Sequence, residues 1–224
     1  MTTQQEFGTG ILARVTKQTY WMLALTACLA LAVAVPFGVS IFLDRDASNI
    51  PLFALVVWAC VPGVSAAFFT CQQRTRDLDD SPFAAFFYGL RRNTVGSLAL
   101  SVPVVGLGGL TAFNAAYGAA AGVPSGFMWA GVGITIVALV WLSHALHIHS
   151  QFTFRWRDVA RLGMYYVTAA PLVSLGALSL WVFSLGIVYL TSDGVLLLLG
   201  GVVAFLLWRN ALPLLADVQQ RFVV

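Results

Sequence analysis

The chain has 224 residues, of which 59% are hydrophobic and only 9% charged, whereas soluble domains carry about 25% charged residues. A soluble domain of this size would not have enough polar surface to cover itself. The net charge of +3 sits almost wholly in a few connections between apolar stretches, where it reports orientation and anionic lipid headgroups rather than nucleic acid.

Six apolar stretches follow one another, each to be compared with the roughly 20 residues that cross a bilayer. Tyr20–Leu43 is the first. Ala32-Val33-Ala34 imitates a signal-peptidase site, but the apolar run continues through Phe37–Leu43 and reads as a signal anchor. After a short acidic turn, Asp44–Asn49, the second span is Pro51–Cys71. Thr94–Gly122 and Leu162–Leu190 form the third and fifth and are longer than a perpendicular crossing requires. Pro103 and Pro171 lie inside them and predict kinks, because proline lacks the amide and its ring clashes with the preceding turn. Gly126–His147 is the fourth. Gly194–Trp208 is too short alone and becomes a full sixth span only if the helix continues through Arg209-Asn210 to Leu215; otherwise five spans result. Similar segments, Ala54–Trp58 with Pro62 and Ala204–Trp208 with Pro213, raise the alternative of three related hairpins.

Charge orients this ladder. Arg14 and Lys17 precede the first span; Arg74, Arg76, Arg91 and Arg92 lie between the second and third; Arg155, Arg157 and Arg161 lie between the fourth and fifth; Arg209 and Arg221 sit at or after the end of the sixth. Only Arg45 falls on the other side. Retained positive charge marks the cytoplasmic face, so both termini are expected inside a multi-pass cell-membrane protein with one transmembrane domain, 1–224.

Two basic connections have structure of their own. Asp79-Asp80-Ser81-Pro82 is a helix start, with acids near the positive dipole end, Ser as cap and Pro in the first turn. Phe83, Phe86, Phe87 and Leu90 then recur on one helical face, followed by Arg91 and Arg92. This predicts an amphipathic elbow helix in the headgroup plane over Phe83–Asn93. Phe152, Phe154 and Trp156 with Arg155, Arg157 and Arg161 predict a second. Phe83, Phe86, Phe87, Arg91, Arg92, Arg155, Trp156 and Arg157 are the candidates for docking a partner.

Polar groups within hydrocarbon are costly and so mark candidate sites. Asn114 lies late in the third span; Arg209, beside Asn210, lies roughly 22 Å into a completed sixth. His144, His147 and His149 read as amphipathic residues at the interface rather than as metal ligands, for want of a third ligand and an orienting shell. Cys28, Cys60 and Cys71 lack zinc or disulfide spacing. Gly106-Leu-Gly-Gly109 and Gly118–Gly122 read as close helix packing. No catalytic triad, phosphate loop or central carboxylate is present in the sequence. No enzyme, cofactor or metal is expected.

Ala84-Ala85-Phe86-Phe87-Tyr88-Gly89 with Pro103 resembles a degraded form of the coupling loop of binding-protein-dependent permeases, without its Glu. A wider resemblance rests on Pro62–Ala67, on Asp79-Asp80-Ser81-Pro82-Phe83 with Phe86 and Arg91-Arg92-Asn93, and on Phe152-Thr153-Phe154-Arg155. With these the chain resembles the YesL-like family of small bacterial integral membrane proteins, although Gln18–Trp21 departs from it where members often carry an Asn. The resemblance implies association with carbohydrate uptake and supplies no catalytic residues. The expectation is a non-enzymatic accessory or permease-like component of such a system, with the subunits of an ABC-type transporter as partners. The alternatives are a stand-alone structural or lipid-interacting protein, or a self-contained small-solute transporter. Oligomeric state stays open.

Overall fold

In a computed structural model the described residues are 11–76 and 81–222, and they are almost entirely helical. Seven α-helices follow in order: α1 Ile11–Ile41, α2 Ile50–Arg76, α3 Pro82–Tyr117, α4 Ser125–Gln151, α5 Trp156–Ala169, α6 Pro171–Leu190 and α7 Asp193–Phe222. All but α5 are long and apolar enough to cross a membrane. The chain is an all-α polytopic membrane protein with six candidate spans. Helices are the economical answer here, since each satisfies its backbone groups internally where no water can do so.

α7 runs unbroken through Arg209 and Asn210, so the sixth span is complete. The predicted kinks divide. α3 continues as one helix across Pro103, whereas the chain leaves the helical region at Ala170 (φ −123°, ψ 65°) and α6 restarts at Pro171. The residue before proline is pushed out of the helical region. The Val167 carbonyl, four residues before Pro171, instead accepts from Ser174 Oγ at 2.9 Å. The expected fifth span is thereby split into α5 and α6.

The two elbows also differ. Phe83–Asn93 is the first part of α3 itself, not a separate helix. At 36 residues α3 is about 54 Å long, well beyond the ~30 Å hydrocarbon core. Ser81 occupies the cap position and Pro82 the first turn, but the Ser81 side chain makes no capping bond; Asp79 and Asp80 lie outside the described residues. The second elbow is a distinct helix, α5. It buries Val159, Gly163 and Tyr166 on one face and exposes Trp156, Arg157, Arg161 and Met164 on the other.

α1 lies in a groove between α2 and α7. A β-carbon at Gly63 would sit 3.3 Å from Leu29 Cδ1, and one at Gly201 would sit 2.9 Å from the Thr26 amide and 3.1 Å from the Met22 carbonyl. Only glycine admits α1 this closely. Gly106, by contrast, has nothing within 4 Å, and Gly122 (φ 72°) turns the chain from α3 into α4. The glycines of 106–109 are therefore not where helices meet most tightly; the close approaches of α1 lie at Gly63 and Gly201.

Candidate functional site

Hydrogen bonds fasten the helices together at the end that carries the arginines. Arg74 Nη2 donates to Gln18 Oε1 at 2.6 Å and its guanidinium lies 4.3 Å over the Trp21 ring. Trp208 Nε1 donates to Gln72 Oε1 at 3.0 Å. Trp141 Nε1 holds α5 through the Ala160 carbonyl at 2.9 Å, and Tyr166 OH donates to Asp217 at 2.6 Å. Burial, reinforced by that carboxylate, raises the Tyr166 pKa above the ordinary tyrosine value. These bonds put the start of α1 and the end of α7 on one side, with the arginines.

At the centre of this end stands α4, and its three histidines face three different neighbours. His144 Nε2 is 2.9 Å from Ser174 Oγ on α6. Because that hydroxyl already donates to Val167, the imidazole must be the donor. His147 Nδ1 donates to its own helix at the Ser143 carbonyl, 2.6 Å away, and the ring stacks on Phe68 of α2 with centroids 3.9 Å apart. His149 lies against Gly96 of α3. His144 and His147 are buried and His149 half-buried, so packing rather than the interface houses them. Diverging rings cannot share an ion, and among the described residues no set of three metal-ligating side chains comes together.

Above this layer, away from the arginines, the helices part. A cleft of about 400 Å³ opens between α2, α3 and α4. Its walls include Val57, Val61, Val104 and Leu139, and its floor is formed by Phe68, Leu146 and Trp181. The indole N–H of Trp181 is satisfied by Ser143 Oγ at 2.7 Å. Nothing in the sequence singled out these residues, because Val and Leu facing a cleft read like Val and Leu facing lipid.

The docking candidates divide by burial. Phe83 and Phe87 are exposed, as are Arg91, Arg92, Arg155, Trp156 and Arg157. Phe86 is fully buried and meets Phe87 edge-on, so it anchors α3 rather than presenting itself to a partner. Arg92 lies 5.7 Å over Phe69 and Arg157 5.2 Å over Trp156; both retain open faces.

The intramembrane candidates do not converge. Arg209 is exposed on α7, while the adjacent Asn210 is half-buried and donates to the Val173 carbonyl at 2.8 Å, bracing the restart of α6. Asn114 is half-buried at the far end of α3, where its backbone carbonyl accepts from the Gly118 amide at 2.8 Å. Arg209 lies about 24 Å along α7 from that far end, so Asn114 and Arg209 occupy different depths. Comparisons of the chain with protein-family models, with curated proteins and with solved structures return no match.

Proposed function

We propose that this protein is a stand-alone integral membrane protein that works by engaging lipid, its basic end seated on the anionic cytoplasmic leaflet. The carrying observation is a basic collar at one end of the bundle, in which Arg91, Arg92, Arg155 and Arg157 and the rings of Phe83, Phe87 and Trp156 are all exposed. Each basic side chain near an anionic surface contributes about 1 kcal/mol, and aromatic rings favour the headgroup level. Lipids that survive gentle extraction should be enriched in anionic headgroups over the surrounding membrane. Arg91→Ala with Arg92→Ala should lower that enrichment and leave insertion intact. Enrichment unchanged in the double variant overturns the proposal.

The same exposed aromatics favour a second reading, in which the collar docks a protein. Here the chain is an accessory or permease-like component of a carbohydrate uptake system, as the YesL-like resemblance implies, with ATPase and permease subunits as partners. Mass spectrometry of the gently extracted protein separates the two: recovery of those subunits, lost in the double variant, supports docking. A small-solute transporter built on Asn114 and Arg209 is favoured by neither their separation nor the apolar lining of the cleft.

A further inference from the structure

The cleft among α2, α3 and α4 lies in the half of the molecule that the collar does not use. It starts at Ile50, the first residue of α2, and ends on Phe68, about 27 Å further along the helix. Val57 at its side is 58% exposed and Phe68 at its floor 1%, so it is open beside Val57 and closed at Phe68. Helices α2, α3 and α4, and α6, which supplies Trp181 to the floor, are all candidate membrane spans, and the mouth therefore opens to lipid rather than water.

We infer that this cleft holds one acyl chain of a bilayer lipid, lying lengthwise with its terminal methyl toward Phe68 and its headgroup toward the end away from the arginines. Water gains no partners in an apolar hollow of this kind, and the floor's one indole donor is already taken by Ser143. A sugar would leave its hydroxyls unpaired at a cost of a few kcal/mol for each. Hydrocarbon chains are present at high concentration on every side. An unfilled hollow would deprive its walls of dispersion contacts that a chain restores. One leaflet's share of the hydrocarbon core is about 15 Å, so the cleft is long enough to take a chain without folding it.

Two glycines keep the cleft open. A β-carbon at Gly109 would lie 3.7 Å from Ala54 Cβ, and one at Gly108 3.9 Å from Thr135 Cγ2. Both are ordinary contacts, so a methyl fits there but a longer side chain must enter the cleft. Gly106 has nothing within 4 Å and serves as the control.

The test places the full chain in phosphatidylcholine vesicles whose lipid carries a photoactivatable diazirine at the end of one acyl chain. Irradiation and peptide mass spectrometry then locate the adducts. Adducts on Val64, Leu139 and Leu142 are expected in the wild type and in Gly106→Leu, and their loss in Gly109→Leu. Ala112→Leu, at another lining position, supplies a second filled cleft should the first variant fail to insert. Adducts confined to exposed residues such as Leu110 and Val137, or cleft adducts undiminished in both filled variants, overturn the inference. So does efficient disulfide linkage between copies of Val57→Cys beyond the wild-type level, which would put a second copy of the chain in the cleft. None of these outcomes depends on the collar.

Discussion

The two halves of the bundle are built on different forces. At the basic end, α1, α2, α4, α5, α6 and α7 are joined by side-chain hydrogen bonds: Gln18 to Arg74, Gln72 to Trp208, Trp141 to α5, His144 to Ser174, Tyr166 to Asp217, Asn210 to Val173. At the other end, α3 and α4 share the Thr111–Thr135 bond at 3.0 Å, Arg45 lies 3.7 Å from Asp193 in an exposed pair, and the walls between are aliphatic. Lipid is as apolar as leucine, so aliphatic faces gain little by leaving it for one another. Buried polar groups, having no water to turn to, must find each other. The polar ties between helices therefore gather at the basic end, while α2 and α3, closely packed against each other, are joined beside the cleft by Trp58 Nε1 donating to the Leu98 carbonyl at 3.0 Å.

The largest test of this contrast removes one ring from the cleft's floor, where it meets the histidine layer, and one from the cleft's outer part. Phe68→Ala deletes a buried side chain and its stack on His147 and should cost about 3–5 kcal/mol; Phe53→Ala, half-buried at the cleft's lipid-facing side, should cost well under half of that. Thermal melts in one detergent compare the two, and equal losses would break the distinction. Next comes close packing. Gly201→Val forces a branched side chain into the α1 backbone and should cost about 1–3 kcal/mol or more, while Gly106→Val, with open space around it, should leave the melting temperature nearly unchanged.

The smallest effect concerns the docked helix α5. Tyr166→Phe removes the donor to Asp217 and should cost about 1 kcal/mol. Because the folded state holds the Tyr166 pKa above its unfolded value of about 10, the neutral phenol stabilises the fold. That contribution is fully present below pH ~10 and is lost as pH rises through the raised value. Melts taken from neutral to strongly alkaline pH should show an alkaline decline in the wild type that is smaller in Tyr166→Phe. Parallel declines would mean that another group is responsible.

Much of the fold was legible in the chain because its cause is local. Span number and rough limits follow from hydrocarbon thickness, and six crossings require the last helix to continue through Arg209 and Asn210, as it does. The split at Pro171 was half visible. The sequence places equivalent prolines in the third and fifth spans, but only at Pro171 does Ser174 take up the freed carbonyl, with His144 bonded to that Ser. The histidines misled for a related reason. At the end of a span, spacing describes an interfacial residue and a packed one alike.

The residues alone suffice to identify a helical membrane protein, the approximate limits of most of its spans and the end that carries the positive charge, since each of these depends on residues counted along one segment. Tertiary structure decided that Phe86 is buried while Phe83 and Phe87 are open, that Arg209 and Asn114 stand apart, that α1 rests on Gly63 and Gly201, and that a cleft separates α2, α3 and α4. These depend on which side of each helix meets a neighbour. In an apolar helix surrounded by apolar solvent, no hydrophobic periodicity records that choice.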